Sequence, residues 1–139
     1  HACYPSVRNG EVFMILVIGG AFQGKGSYVK EHFKVDAPWI DGGNCTFDDI
    51  FSCGAIEHFH RFVYRFLDRE ELGELPEKLA EENPEILIIS DELGYGVVPV
   101  DAKDRFWREK TGRICTSLAA HAAEVHRVVC GIGMVIKNA

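Results

Sequence analysis

The sequence predicts a three-layer α/β/α fold around a mostly parallel β-sheet, and three observations carry that prediction. Residues 13–18 (FMILVI) form an unbroken apolar run ending in Gly19-Gly20, the pattern of a short strand buried on both faces. Residues 86–89 (ILII) repeat the pattern and end in Ser90-Asp91-Glu92. Helical patterns follow both runs, and strands alternating with helices imply crossover connections and helices on both faces of the sheet.

The elements follow in order. Residues 1–13 open with HACYPSVRNGEV, which leads into no element and reads as an N-terminal extension or an expression remnant, with Met14 a candidate natural start. Residues 14–139 then form a single domain. After the first strand, residues 27–33 read as a helix. Residues 37–41 (APWID) are a weaker strand closed by Gly42-Gly43. Thr46 or Asp48 is expected to cap a helix carrying Ile50, Phe51 and Ile56. Residues 57–67 are helical, with Phe59, Val63, Phe66 and Leu67 as a core-facing stripe. Pro76 opens a helix over 77–82, whose Glu77, Lys78, Glu81 and Glu82 form a solvated face. Gly94 and Gly96 mark a loop that Pro99 closes. Residues 102–123 form a long helix with Phe106, Ile114, Leu118 and Ala122 on one side, interrupted by Gly112. Residues 125–130 give a third strand, Gly131-Ile132-Gly133 a turn, and residues 134–137 a short edge strand.

Composition narrows the function classes. The 139 residues are 47% hydrophobic and 26% charged, with a formal net charge of -6. An acidic surface argues against general nucleic-acid or anionic-membrane binding, because attraction to phosphate needs basic groups. Five cysteines are widely spaced with no C-x-x-C pair, so neither a zinc knuckle nor a dithiol redox site is expected. Reduced thiols in a cytoplasmic protein are. No apolar run reaches the roughly 20 residues needed to span a bilayer, and the first run lacks a signal-peptidase site.

The chemistry begins at the end of the first strand. Gly19, Gly20, Ala21, Phe22, Gln23, Gly24 and Lys25 match G-x-x-x-x-G-K, placed between a strand and a helix as a phosphate loop (P-loop) requires. Glycines let successive N–H groups point at one anion, the helix N-terminus adds partial positive charge, and the lysine reaches the β- and γ-phosphates as a point charge. The position after the lysine, usually a hydroxyl residue that holds Mg²⁺, is Gly26, with Ser27 one later. The bland alternative is a strand end followed by a solvated helix-start lysine. Asp91 and Glu92 stand at the end of the second apolar strand, where an acid can hold Mg²⁺ or orient a nucleophile, and ligands of open α/β sheets bind at that edge. Asp41, after the weaker strand, is a further magnesium candidate. His58 and His60 lie two apart, a spacing that sends them to different faces of a helix. Either is a candidate nucleophile, though such histidines are more often packing or surface groups. His32, His121 and His126 have no motif around them.

Three longer runs are more specific. D-E-L-G-Y-G-V-V-P-V (residues 91–100), F-W-R-E-K-T-G-R-I-C (residues 106–115) and V-V-C-G-I-G-M-V-I-K (residues 128–137) resemble the bifunctional adenosylcobinamide kinase/adenosylcobinamide-phosphate guanylyltransferase family. The opening M-I-L-V-I-G-G-A-F-Q-G-K (residues 14–25) is similar to the start of that family. The resemblance implies a P-loop NTPase-like fold and a place in cobalamin assembly. Its members phosphorylate the aminopropanol hydroxyl of adenosylcobinamide with ATP or GTP, then transfer GMP to that phosphate through a guanylylated histidine. Carried over, residues 19–25 cradle the phosphates with Gly26 and Ser27, Glu92 and residues 94–99 line the site, and Arg113 sits on the following helix as a nucleotide contact. The chain is shorter than a typical member. The histidine-bearing segment is contracted, with E-H-F-H-R (residues 57–61) the one candidate for it or else part of a later helix, and Asp91 stands where an amide is usual.

The expectation is therefore a kinase using GTP or ATP and Mg²⁺ on adenosylcobinamide or a related corrinoid. Its catalytic candidates are Lys25, Glu92, His58 and His60, and its metal candidates Ser27, Asp91 and Asp41. The alternative is a non-catalytic nucleotide- or corrinoid-binding module of the same descent. Reuse of the scaffold on another alcohol also stays open, since fold alone does not fix substrate. A small apolar-rich sheet and the resemblance together suggest a homo-oligomer.

Overall fold

The computed structural model describes residues 4–5, 7–8, 11–35, 38–93 and 101–138. The main sheet has six strands. In chain order these are β1 (Ile15–Gly19), β2 (Trp39–Asp41), β3 (Ala55–Glu57), β4 (Leu87–Asp91), β5 (Glu124–Val129) and β6 (Ile132–Asn138). Their spatial order is β6-β5-β1-β4-β3-β2, parallel throughout except for the antiparallel β5–β6 hairpin. Two-residue pairings near the N-terminus join 4–5 to 33–34 and 7–8 to 11–12.

Side chains alternate across the sheet, as strand geometry requires. Ile15, Val17, Leu87 and Ile89 face α1 (Lys25–His32) and pack with Tyr28, Val29 and Phe33. Leu16, Ile56 and Ile88 face the other way, into a larger core beneath α2 (Phe59–Arg65), α3 (Leu75–Glu82) and α4 (Ala102–His121). Helices thus cover both faces, giving the predicted three layers. Pro76 lies in the first turn of α3. Asp101 caps α4 by accepting a hydrogen bond from the Lys103 N–H, and Gly112 passes through that helix with open space beside it.

Three expectations are corrected. The helix expected to follow Thr46 is a single 3₁₀ turn, Asp48–Phe51. Thr46 and Asp49 do cap it reciprocally, at 2.9 and 3.3 Å. Ile56 then enters strand β3, where it pairs with Ile40 and Ile88. Filling the sheet between β2 and β4 overrides local helical preference. The helix expected from residue 57 begins at Phe59, because Glu57 still belongs to β3. On α4, Phe106 is about half exposed while Ile114 and Leu118 are buried, as is Ala122 just past the helix end. Trp107 packs against the core instead, its Nε1–H donating to the His60 carbonyl at 2.7 Å.

Candidate phosphate site

Strand register assembles the site. Gly19 is the partner of Asp91 across β1–β4, and Asp41 is the partner of Glu57 across β2–β3. Three carboxylates and the glycine loop therefore arrive together at the carboxyl edge of the sheet, the edge where open α/β sheets take ligands.

The loop between β1 and α1 has its shape fixed at several points. A Cβ on Gly19 would lie 2.5 Å from the Val128 carbonyl oxygen, so only glycine lets β1 end there. Gly24 precedes α1 in the left-handed region (φ 84), which glycine adopts without steric penalty. Gln23 ties the loop to the β5–β6 turn. Its side-chain oxygen accepts from the Cys130 N–H at 2.7 Å, and its carbonyl from the Gly131 N–H at 2.8 Å. Phe22 is fully exposed, with φ 60.

Lys25 is 8% exposed. Its ammonium donates to the Gly20 carbonyl at 2.7 Å and pairs with Asp91 Oδ1 at 2.7 Å. The other Asp91 oxygen stands 3.4 Å from His60 Nε2, while His60 Nδ1 accepts the Asp91 backbone N–H at 3.1 Å. That acceptor role puts the proton of the neutral ring on Nε2, facing the carboxylate. Burial pushes the His60 imidazole below its ordinary value. Asp91 opposes the shift, and the charges of His58, Arg61 and Lys25 add to it.

Facing the loop is the β3–α2 junction. His58 caps α2 in the left-handed region (φ 55), and its Nδ1 lies 3.1 Å from Asp41 Oδ1. The Gly43 N–H donates to the same oxygen at 2.8 Å. Burial raises the Asp41 carboxyl, but the Gly43 hydrogen bond, the His58 hydrogen bond and the charges of His58 and Arg61 outweigh it. The group titrates below its ordinary value. Because His58 precedes the helix, the different-faces expectation for His58 and His60 fails. Their ring centroids are 6.0 Å apart, edge to face.

A cavity of about 420 Å³ lies between the two junctions. Residues 21–27 form one wall; Glu57, His58 and Arg61 form the other; Lys30, Ile89 and Asp91 complete it. A second cleft of about 430 Å³ adjoins it through Arg61, lined by Gly43, Tyr64, Arg65, Asp104 and Trp107. A third, of about 270 Å³, lies on the other side of Asp91. Glu92 lines this third cavity, ion-paired to Arg127 Nε at 2.8 Å. Beside it the buried Thr111 hydroxyl has no hydrogen-bond partner among the described residues. Arg113 is exposed on α4 and lines none of the three. Residues 94–99 lie outside the described residues.

Of the expected magnesium holders, Ser27 and Asp91 line the phosphate cavity, and Asp41 lies behind His58. Asp91 is engaged by Lys25. Asp41 groups instead with Glu57 and His58, one donor atom from each lying within 4.8 Å of the others. Two hard carboxylate donors with one imidazole nitrogen suit a divalent cation. Glu57, Arg61 and Lys30 were missed by the sequence reading. A three-residue strand ending in Glu57 is too short to announce itself, and only the position of Arg61 three residues after His58 hinted at a shared face.

The family profile described as cobinamide kinase / cobinamide phosphate guanyltransferase (CobU) matches residues 66–136, just over half of the chain. The chain belongs to this family. The CobU match begins at the end of α2 and takes in β4, α4 and β5, so the phosphate loop itself lies outside it. The bifunctional adenosylcobalamin biosynthesis protein CobU of Escherichia coli (strain K12) is 42% identical over 52 residues, which are 37% of this chain and 29% of that protein. The protein of the same name from Salmonella typhimurium (strain LT2) matches equally. The match thus spans less than a third of either relative's length. Among solved structures, the P4 protein from bacteriophage phi6 in complex with ADP gives a TM-score of 0.45 at 13% identity, over 87% of this chain and 52% of that one. The P4 protein from bacteriophage phi13 gives 0.44 at 17% identity, over 94% and 57%. Likenesses at that level bear on no functional argument. Family membership supports a role in cobalamin biosynthesis. Among the described residues no helix is long and apolar enough to cross a membrane.

Proposed function

We propose that the chain is a cytoplasmic, nucleotide-dependent kinase that phosphorylates adenosylcobinamide or a closely related corrinoid alcohol, with GTP or ATP as donor. The observation that carries this reading is the Lys25–Asp91 pair at the mouth of the glycine loop, 2.7 Å apart inside a cavity of triphosphate scale. An arriving γ-phosphate takes Lys25 from Asp91, and the loop N–H groups and Arg61 meet the remaining charge. Positioning and electrostatic stabilisation of this kind are most of what phosphoryl transfer needs. The acceptor alcohol enters through the adjoining cleft of Tyr64, Trp107 and Arg65. Its oxygen attacks the γ-phosphorus, the bond to the bridging β–γ oxygen breaks, and the nucleoside diphosphate leaves. The hydroxyl proton passes to the freed Asp91 carboxylate. Magnesium, when bound, would neutralise phosphate charge, with Ser27 the expected holder that stays available, since Asp91 takes the proton and Asp41 groups with Glu57 and His58.

A second reading, GMP transfer through a histidine, draws on one observation. His58 lines the phosphate cavity, whereas the Nδ1 lone pair of His60 is already engaged by the Asp91 N–H. One incubation with GTP, Mg²⁺ and adenosylcobinamide tests both readings. Phosphorylated cobinamide establishes the kinase, and a GMP adduct on the intact protein establishes the transfer. GTP retained with neither product replaces both by a binding module.

A further inference from the structure

We propose that Asp41, Glu57 and His58 form a divalent-cation site on the wall of the phosphate cavity opposite the loop, selecting a first-row transition ion such as manganese over magnesium. Three donors of two chemistries converge there, two carboxylates and an imidazole, with one ligand atom from each within 4.8 Å of the others. Each comes from a fixed position. Asp41 and Glu57 end adjacent paired strands, and His58 follows at once in a left-handed conformation. Gly43 already holds one Asp41 oxygen through its N–H, so that carboxylate is oriented before any ion arrives, as supporting contacts to metal ligands commonly do.

A separate observation from the loop points to the same place. Phosphate loops usually carry a hydroxyl after the lysine to hold the cation, and this chain has Gly26 there. A Cβ built on Gly26 would lie 3.9 Å from Glu57 Oε2. A side chain at this position would face the Glu57 carboxylate, and apart from its own helix and chain neighbours no other described residue comes within 4 Å of that Cβ. The opposite wall offers a charged oxygen where the loop lacks a neutral one. Two carboxylates with a neutral imidazole balance a doubly charged ion, leaving its open positions for phosphate oxygens. Carboxylates alone would suit magnesium, but an imidazole ligand shifts preference along the first-row series.

The purpose of this site rests on the kinase reading, and its existence does not. It also competes with the GMP-acceptor reading, since an imidazole ligated at one nitrogen and protonated at the other has no lone pair for phosphorus. The test uses the full chain, free of nucleotide, titrated with Mn²⁺ and read by EPR. One Mn²⁺ per chain is expected, weakened at least about tenfold by Glu57→Gln and by Asp41→Asn, with Mg²⁺ a poor competitor. Pulsed EPR should show coupling to an imidazole nitrogen that His58→Gln removes. Thermal unfolding of each variant reports folding, and Glu57→Gln carries the test if Asp41→Asn is unstable. No Mn²⁺ binding, binding unchanged in the folded carboxylate variants, or nitrogen coupling that survives His58→Gln overturns the proposal. Mn²⁺ binding as expected without phosphorylated product removes the kinase reading and leaves the site. Product without Mn²⁺ binding does the reverse.

Discussion

Two strand-to-helix junctions face each other across the cavity, and each enters its helix through a left-handed residue. At the β1–α1 junction that residue is Gly24, at φ 84. At the β3–α2 junction it is His58, at φ 55. Glycine adopts this conformation freely, whereas an L-residue with a Cβ is strained there by roughly 1–2 kcal/mol. The first junction is thus built from residues chosen for backbone shape. The second holds a side chain in place against backbone preference, and such strain persists where the surrounding structure over-determines it, often at functional sites.

The largest test of the contrast falls on the first junction. Lys25→Ala should lower phosphoryl transfer by about a hundredfold or more and release Asp91 from its ion pair. A steady-state assay showing full rate would remove Lys25 from the mechanism. Gly19→Ala should act on the fold, because the new methyl meets the Val128 carbonyl and overpacking of this kind costs about 1–3 kcal/mol. Chemical denaturation reads it, and an unchanged midpoint would mean that β5 yields easily.

At the second junction the comparison can be made within one residue. His58→Ala loses the Asp41 contact and keeps the strained backbone. His58→Gly loses the same contact and relieves the strain. The glycine variant should be the more stable by up to about 1 kcal/mol, after the entropy that glycine loses on folding is counted. Equal stabilities would show that the left-handed turn is not strained. The smallest effect is on pH dependence. Because burial holds His60 below its ordinary value in the fold, the unfolded chain binds its proton first as pH falls. Stability should therefore be intact above the unfolded value, about 6.5, and decline as pH drops from there toward the lower folded value. His60→Asn, whose amide oxygen can accept the Asp91 N–H in place of Nδ1, should flatten that slope in denaturation midpoints measured between about pH 7.5 and 5.

The same contrast explains what was legible in the sequence. Long apolar runs such as residues 13–18 and 86–89 announce buried strands, and glycines in fixed spacing announce the loop between β1 and α1. β3 is three residues long, and its Ala55 and Ile56 carry no alternation to read. Its identity comes from partners distant in sequence, Trp39 and Ile40 on one side, Leu87 and Ile88 on the other. Helical patterning across residues 57–67 hid the break at His58, and with it the fact that His58 and His60 meet at one corner. Glu92 illustrates the opposite difficulty. Its place after an apolar strand suggested the phosphate site, but it turns toward Arg127 and lines the third cavity, away from the one walled by residues 21–27.

The bond from Cys130 to Gln23 joins positions 107 residues apart, and this bears on the order in which the molecule is made. A chain emerging from its N-terminus presents the whole glycine motif early, long before the β5–β6 turn exists. The loop receives the backbone partners that hold its shape only when the final hairpin has been synthesised and docked. The glycine motif is thus among the first segments made, while two of the hydrogen bonds that hold it wait for residues 130 and 131.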